Sequence, residues 1–128
     1  MTTLTSNTNR IAILNDRCRQ GLDRTARIVV TRACLATIAG DGKTSDGNSG
    51  SIHVAEILAQ ATIMAELRKW QAPEGDRSER DLGWFQVGVH KLMFKIDYYD
   101  PDLKYGSEDP ADAARTIRVL TIMLPGDY

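Results

Sequence analysis

The chain has 128 residues, of which 42% are hydrophobic and 26% are charged, and its formal net charge is −1. A chain of this length suits a single domain with one hydrophobic core, which we expect to span residues 8–128. The small net charge excludes a protein that binds nucleic acid as a polycation or that carries negative charge over its whole surface.

The charge is nevertheless distributed unevenly along the chain. Residues 1–35 contain six arginines against two aspartates, whereas residues 95–112 contain six acidic residues against two lysines. Either these two segments attract each other within the fold, or they form separate surfaces for partners of opposite charge.

Targeting signals and cysteine pairs are both lacking in the sequence. Residues 1–7 have neither a charged nor an apolar segment of the kind found in signal peptides, and we expect them to be flexible. No apolar run approaches the roughly 20 residues that a membrane span needs. Cys18 and Cys34 have neither Cys-x-x-Cys nor metal-site spacing, so we expect free thiols in the core. Together these features indicate a cytoplasmic protein without membrane contact.

The first half of the chain predicts a helix, a strand and a loop. Thr8 or Asn9 can cap a helix, and apolar residues follow at helical spacing at Ile11, Leu14, Cys18 and Leu22. The β-branched segment 26–31 predicts a strand, and residues 32–39 fit either its continuation or a short helix. Residues 40–51 contain four glycines and three serines, which predicts a flexible internal loop. The loop lacks the glycine spacing of a phosphate-binding loop, so nucleotide binding there is not expected.

A second helix is predicted over residues 52–70, and it is apolar on two sides. One side is lined by Val54, Ile57, Leu58, Ala61, Met64 and Ala65. The other side carries Ile63, Leu67 and Trp70. Such a helix is either sandwiched within the fold or offers one side to a partner, and we expect the broader side to pack on the sheet.

The second half of the chain predicts β-structure. Segments 82–87 and 91–97 flank a turn that contains Gly88, as in a β-hairpin. Segment 116–124 is almost entirely apolar, which predicts a central strand covered on both faces. The fold class is therefore predicted to be α+β, with an antiparallel sheet of about four strands packed against two helices.

Four stretches together resemble a family of small proteins of unknown function that is common on alphaproteobacterial plasmids and other mobile elements. The matching stretches are Arg10–Asp16, Arg27–Arg32, Phe94–Asp100 and a longer one from Gly106 to Leu124. Two positions depart from the family pattern, because this chain has Arg80 where relatives have histidine and Phe94 where they have tryptophan. A catalytic role of that histidine in relatives would therefore not transfer to this chain.

An acidic, tyrosine-containing block near the end of the chain is the candidate functional site. Its candidate partner-binding residues are Asp97, Tyr98, Tyr99, Asp100, Asp102, Glu108 and Asp109. Three interpretations are open: aspartates that satisfy turn N–H groups, a protein-binding surface with a tyrosine anchor, or a Mg²⁺ site formed by Asp97, Asp100 and Asp102.

The favoured hypothesis is a small non-enzymatic protein that binds a protein partner with a basic surface. The resemblance to mobile-element proteins implies an inhibitor of a host defence complex, such as an anti-CRISPR or anti-restriction factor. We expect no catalytic residue, metal or cofactor and no direct binding of nucleic acid, and a homodimer is compatible with the sequence. The alternative is a metal-dependent hydrolase or nuclease that uses the Asp97/Asp100/Asp102 cluster.

Overall fold

A computed structural model describes residues 6–40 and 49–128. Within these ranges the chain forms three α-helices and four strands: α1 (Asn7–Arg19), β1 (Arg27–Val30), α2 (Arg32–Gly40), α3 (Ser49–Lys69), β2 (Leu82–Val87), β3 (His90–Tyr99) and β4 (Ile117–Met123). The predicted α+β class is confirmed. The prediction of two helices was one short, because the ambiguous segment after β1 forms the helix α2.

The four strands form one mixed sheet in the order β1-β4-β3-β2. The strands β2, β3 and β4 are antiparallel neighbours, as predicted for the hairpin. The strand β1 pairs in parallel with β4, so the prediction of a purely antiparallel sheet was wrong. Parallel neighbours require a long crossover rather than a tight turn, and here residues 31–116 lie between the two strands.

All three helices of the described ranges pack on the same face of the sheet. The core between the layers contains Cys18 from α1, Cys34 and Ile38 from α2, and Ala59, Ile63 and Leu67 from α3. The sheet contributes Leu92, Phe94, Ile96, Leu120 and Ile122 to it. The strand β4 is central, as predicted. The described helices pack on one of its faces, whereas on the other face Val119 and Thr121 are half-buried and Met123 is buried.

The strand register places a second set of side chains on the opposite face of the sheet, called here the open face. Its residues include Val29, Leu82, Trp84, Met93, Lys95, Asp97, Tyr99 and Val119. Met93 is buried there, whereas Val29 is 46% and Trp84 is 44% exposed. The open face is therefore partly apolar and in contact with solvent.

The helices use different faces from those predicted. In α3, the stripe of Ala59, Ile63 and Leu67 is buried, while Val54 and Leu58 of the broader side are more than half exposed. Both sides are apolar, so helical periodicity alone could not select the buried one. In α1 the cap is Ser6, whose Oγ accepts from the N–H of Asn9 at 3.1 Å, so the helix begins earlier than predicted.

Close packing in the core depends on Gly83 in β2. A Cβ atom at this position would lie 2.6 Å from the Phe94 ring and 2.7 Å from the Trp70 ring. These two rings meet edge to face, with their centroids 5.0 Å apart. Gly83 therefore provides the space in which the end of α3 approaches the sheet.

Both cysteines are free and buried, as the sequence predicted. Burial raises the pKa of Cys18 to about 11, with a smaller contribution from the charge of Asp23. Burial likewise raises the pKa of Cys34 to about 11. Both thiols are thus protonated core residues rather than nucleophiles.

The two segments predicted to be flexible fall mostly outside the described residues, which exclude 1–5 and 41–48. At the edges of these segments, Asn7 belongs to α1, Gly40 ends α2 and Ser49 begins α3. The flexibility of the two segments stays a prediction. Among the described helices, none is long and apolar enough to cross a membrane.

Candidate functional site

The acidic loop, defined here as residues 97–112, starts at the end of β3 and turns back immediately. The N–H of Asp100 donates to the carbonyl oxygen of Tyr105 at 2.8 Å, and the N–H of Ser107 donates to that of Tyr98 at 3.0 Å. Tyr99 and Gly106 form an isolated antiparallel bridge. The backbone thus closes a tight loop on the last strand residues, and the loop carboxylates are held at a defined position relative to the sheet.

Several aspartates of the acidic loop stabilise its turns. Oδ1 of Asp100 accepts from the N–H of Lys104 at 3.0 Å, and Oδ1 of Asp109 accepts from the N–H of Ala111 at 3.3 Å. Asp112 accepts in the same way from the N–H of Ala114 at 3.0 Å. The interpretation of these acids as turn formers therefore has direct support. Each carboxylate still has a second oxygen for another partner.

The acidic loop also encloses a shallow depression of about 350 Å³. Its lining includes Asp100, Tyr105, Glu108 and Arg115. Tyr105 is 75% exposed, and Glu108 and Arg115 form a solvent-exposed ion pair at 3.6 Å. Two carboxylates and a tyrosine ring around one concavity form a suitable site for a cationic side chain.

The structure separates the remaining predicted site residues. Asp97 and Tyr99 lie on the open face, where Asp97 forms an ion pair with Lys95 at 3.1 Å. The hydrogen bond and charge of Asp97 raise the pKa of the Lys95 ammonium. Asp102 is exposed in the turn that follows β3. The depression thus combines two of the predicted residues, Asp100 and Glu108, with Tyr105, which the sequence did not single out.

Tyr98 belongs to a polar network between α1 and the sheet. Its hydroxyl donates to Oε2 of Glu79 at 2.7 Å and accepts from Nδ2 of Asn15 at 2.8 Å. Nε of Arg118 donates to Oδ1 of Asn15 at 2.7 Å, and its Nη2 donates to the carbonyl oxygen of Pro110 at 2.6 Å. Burial, together with the hydrogen bond and charge of Glu79, raises the pKa of Tyr98 well above its usual range. Tyr98 is therefore half-buried, and its hydroxyl is bonded within this network.

Sequence reasoning missed the role of Arg118, although a signal was present. Arg118 alternates in β4 with Leu120 and Ile122, which places it on the core face, and it is only 1% exposed. A charged residue at such a position must be hydrogen-bonded to be tolerated. Through Pro110, Arg118 ties the acidic loop to the core.

A second concave feature lies beside the C-terminal end of α1. The cleft, with a volume of about 540 Å³, is lined among others by Asp16, Arg19, Arg68, Trp70 and Arg80. Arg80 donates to both carboxylate oxygens of Asp16, at 2.9 and 2.7 Å, and Arg19 donates to Oδ1 at 3.0 Å. Burial acts to raise the pKa of Asp16, but the hydrogen bonds and charges of the two arginines outweigh it and lower that pKa.

A metal site was the alternative interpretation of the acidic loop. In residues 6–40 and 49–128, no group of three or more His, Cys, Asp or Glu side chains is arranged to hold a metal ion. Asp97 points to the open face and is paired with Lys95, whereas Asp100 takes part in the turn. The metal-dependent hydrolase stays a prediction without a supporting constellation in this part of the chain.

Comparison with protein families identifies one match. The family described as "Protein of unknown function (DUF3768)" matches residues 49–127, which is more than half of the chain. The matched segment contains α3, the hairpin, the acidic loop and β4. Comparisons with the curated proteins and with the solved structures gave no match.

Proposed function

The chain belongs to the DUF3768 family, and we propose that it is a non-enzymatic interaction protein whose acidic loop binds a protein partner with a basic surface. The observation that carries this proposal is the depression lined by Asp100, Tyr105 and Glu108. A lysine or arginine of the partner would insert there, between two carboxylates and against the tyrosine ring.

The ion pair already present in the depression does not prevent such binding. Glu108 and Arg115 are both largely exposed, with side-chain accessibilities of 89% and 57%. An exposed pair of this kind contributes about 0.2–1 kcal/mol, so exchanging Arg115 for a cation of the partner costs little. Asp100 uses only Oδ1 for its turn and can accept a second hydrogen bond at the other oxygen.

A tyrosine beside the depression supplies the apolar contact that an interface needs. Tyr99, a residue of the acidic loop at the end of β3, lies on the open face directly before Asp100. Aromatic side chains surrounded by a charged rim are typical of protein-binding surfaces. The local excess of negative charge over residues 95–112 would accelerate encounter with a basic partner.

The resemblance to mobile-element proteins directs the proposal to a cytoplasmic host defence complex whose lysines and arginines normally hold nucleic acid. The net charge of −1 supports a local acidic contact rather than a mimic of nucleic acid over the whole surface. Free, buried thiols are compatible with a reducing compartment.

The test compares one double variant with a charge-matched control. Asp100→Asn/Glu108→Gln removes both carboxylates of the depression, and Glu56→Gln/Glu74→Gln removes two charges elsewhere on the surface. Tagged proteins capture partners from a lysate of the source cells, the partner is identified, and association rates are measured with purified proteins over a range of salt concentrations.

We expect the depression variant to associate about tenfold more slowly at low salt and to lose most of the salt dependence, whereas the control variant behaves like the wild type. Both variants should keep the wild-type melting temperature. Binding of the depression variant at the wild-type rate and affinity would refute the proposal and would leave the acids as turn formers.

A further inference from the structure

The cleft beside α1, called here the basic cleft, collects positive charge from three separate parts of the chain. Arg19 ends α1, Arg68 and Lys69 end α3, and Arg80 precedes β2. Asp16 is its acidic residue, so the lining carries four cations against one carboxylate. Helix C-termini favour basic residues through the helix dipole, but that preference does not make the side chains converge on one cavity.

Asp16 neutralises this charge only in part. It accepts hydrogen bonds from Arg80 and Arg19, and each of these guanidinium groups keeps further N–H donors. Arg68 takes part in none of the ion pairs among the described residues. Its guanidinium lies against Gly21, where a Cβ atom would come within 3.4 Å of Nη2.

Arg19 supplies an independent indication of a ligand. Its side chain is 5% exposed, its guanidinium stacks 4.8 Å from the centroid of the Trp70 ring, and its Nε has no hydrogen-bond partner among the described residues. A buried charged donor without an acceptor is costly and rare, and it commonly marks the place of a bound ion or water.

Arg80 shows a further irregularity at the same cleft. Its φ angle is +56°, in the left-handed region that residues other than glycine seldom adopt. Strained backbone of this kind persists where surrounding contacts hold it, and it is enriched at ligand sites. Here the bidentate pair with Asp16 holds the Arg80 side chain at the edge of the cleft.

From these observations we propose that the basic cleft binds a small phosphate-bearing molecule. The volume of about 540 Å³ lies within the range of about 300–1,000 Å³ that is usual for small-molecule pockets. Lys69 pairs with Glu66 outside the lining, at 3.2 Å, which leaves three arginines against Asp16 in the cleft. This excess is balanced better by a multiply charged phosphate than by a single carboxylate, and guanidinium groups bind phosphate oxygens bidentately. This proposal is independent of the protein-binding role of the acidic loop, because it uses different residues.

The experiment uses pyrophosphate as the probe and Trp70 as the reporter. The chain has two tryptophans, so Trp84→Phe leaves the fluorescence of Trp70 alone. Pyrophosphate is titrated against this protein at constant ionic strength, with sodium chloride and sodium acetate as comparison salts. Melting curves with and without pyrophosphate provide a second readout through ligand-linked stabilisation.

Two arginine variants locate the binding. Arg68→Gln removes an exposed cleft guanidinium that forms no ion pair with residues 6–40 or 49–128, so the fold should persist. Arg10→Gln is the matched control, because Arg10 is exposed on the same helix as Arg19 and lies about 14 Å along the helix axis from it. That separation exceeds the Debye length of about 8 Å at physiological ionic strength.

We expect saturable quenching or enhancement of Trp70 fluorescence by pyrophosphate and not by acetate. The affinity should fall about tenfold or more in Arg68→Gln and stay within about twofold in Arg10→Gln. The proposal is overturned if pyrophosphate has no effect beyond that of ionic strength, if acetate acts equally well, or if both variants lose affinity to the same extent.

Discussion

The two consecutive tyrosines of β3 permit a sharp test of the polar network, because they face opposite sides of the sheet. Tyr98→Phe removes a hydroxyl that is bonded to both Glu79 and Asn15. Tyr99→Phe removes a hydroxyl from the open face, where no hydrogen bond of the side chain occurs among the described residues. The two variants therefore delete the same atom from neighbouring positions with different partners.

The expected loss for Tyr98→Phe follows from its two hydrogen bonds. A bond to a charged group contributes about 1.5–3 kcal/mol and a neutral one about 1 kcal/mol. The amide of Asn15 keeps a second acceptor, the carbonyl oxygen of Glu79 at 3.0 Å, and the partly exposed carboxylate can bond to water. We therefore expect a loss of about 2–3 kcal/mol in the free energy of unfolding for Tyr98→Phe and about 0.5 kcal/mol or less for Tyr99→Phe.

Urea unfolding at neutral pH measures both values. With a slope of about 2 kcal/mol/M, the midpoint of Tyr98→Phe should shift by about 1 M at unchanged slope. Equal midpoints for the two variants would refute the assignment of Tyr98 to a stabilising network.

The pH dependence of stability provides a second readout of the same network. The pKa of Tyr98 is raised in the folded protein by burial and by Glu79, whereas it is about 10 in the unfolded chain. The contribution of the neutral hydroxyl is therefore complete below about pH 10 and is lost as the pH rises toward the folded pKa. Wild-type stability should fall more steeply above about pH 10 than that of Tyr98→Phe. The buried thiols titrate in both proteins and cancel in the comparison.

Two further substitutions test the cleft and the core. Asp16→Asn should lower the free energy of unfolding by about 1 kcal/mol at neutral pH. Because the pKa of Asp16 is depressed in the folded protein, this difference in stability should narrow as the pH falls below about 4. A difference that stays constant in urea titrations down to acidic pH would contradict the ion-pair assignment. Gly83→Ala should lower the free energy of unfolding by about 1–3 kcal/mol in thermal or urea unfolding, because its Cβ would clash with the Phe94 and Trp70 rings. The control is Gly126→Ala, whose Cβ meets no atom within 4 Å. Equal stability of the two variants would contradict the packing argument.

Local patterns predicted local structure well and distant pairing poorly. The hairpin of β2 and β3 was predictable because alternation and the glycine turn act within adjacent residues; Gly88, with φ of +60°, occupies the first position of a two-residue turn. The parallel pairing of β1 with β4 was not predictable, because no turn connects them and their register is fixed only when the helices cover one face. The same limit applies to α3, whose two apolar sides are equivalent until the core is assembled.

The two candidate functional surfaces also differ in how far the sequence predicted them. The acidic loop was visible in the sequence, because its carboxylates are close along the chain. The depression was not visible in the sequence, because Tyr105 reaches it only when the backbone closes between Asp100 and Tyr105. The basic cleft was missed altogether, because its arginines come from three parts of the chain that are far apart in the sequence.

The polar network and the basic cleft meet at two pairs of adjacent residues. In the first pair, Asn15 bonds within the network and Asp16 holds Arg80 and Arg19 at the cleft. In the second pair, Glu79 accepts a hydrogen bond from Tyr98 in the network, and Arg80 lines the cleft. A substitution at any of these positions changes a side chain directly adjacent to a residue of the other feature, and effects of neighbouring residues in hydrogen-bonded networks are not additive. Loss of binding in such a variant could not be assigned to either surface. Arg68 for the cleft, and Asp100 with Glu108 for the acidic loop, lie outside these shared pairs, and changes there report on one surface at a time.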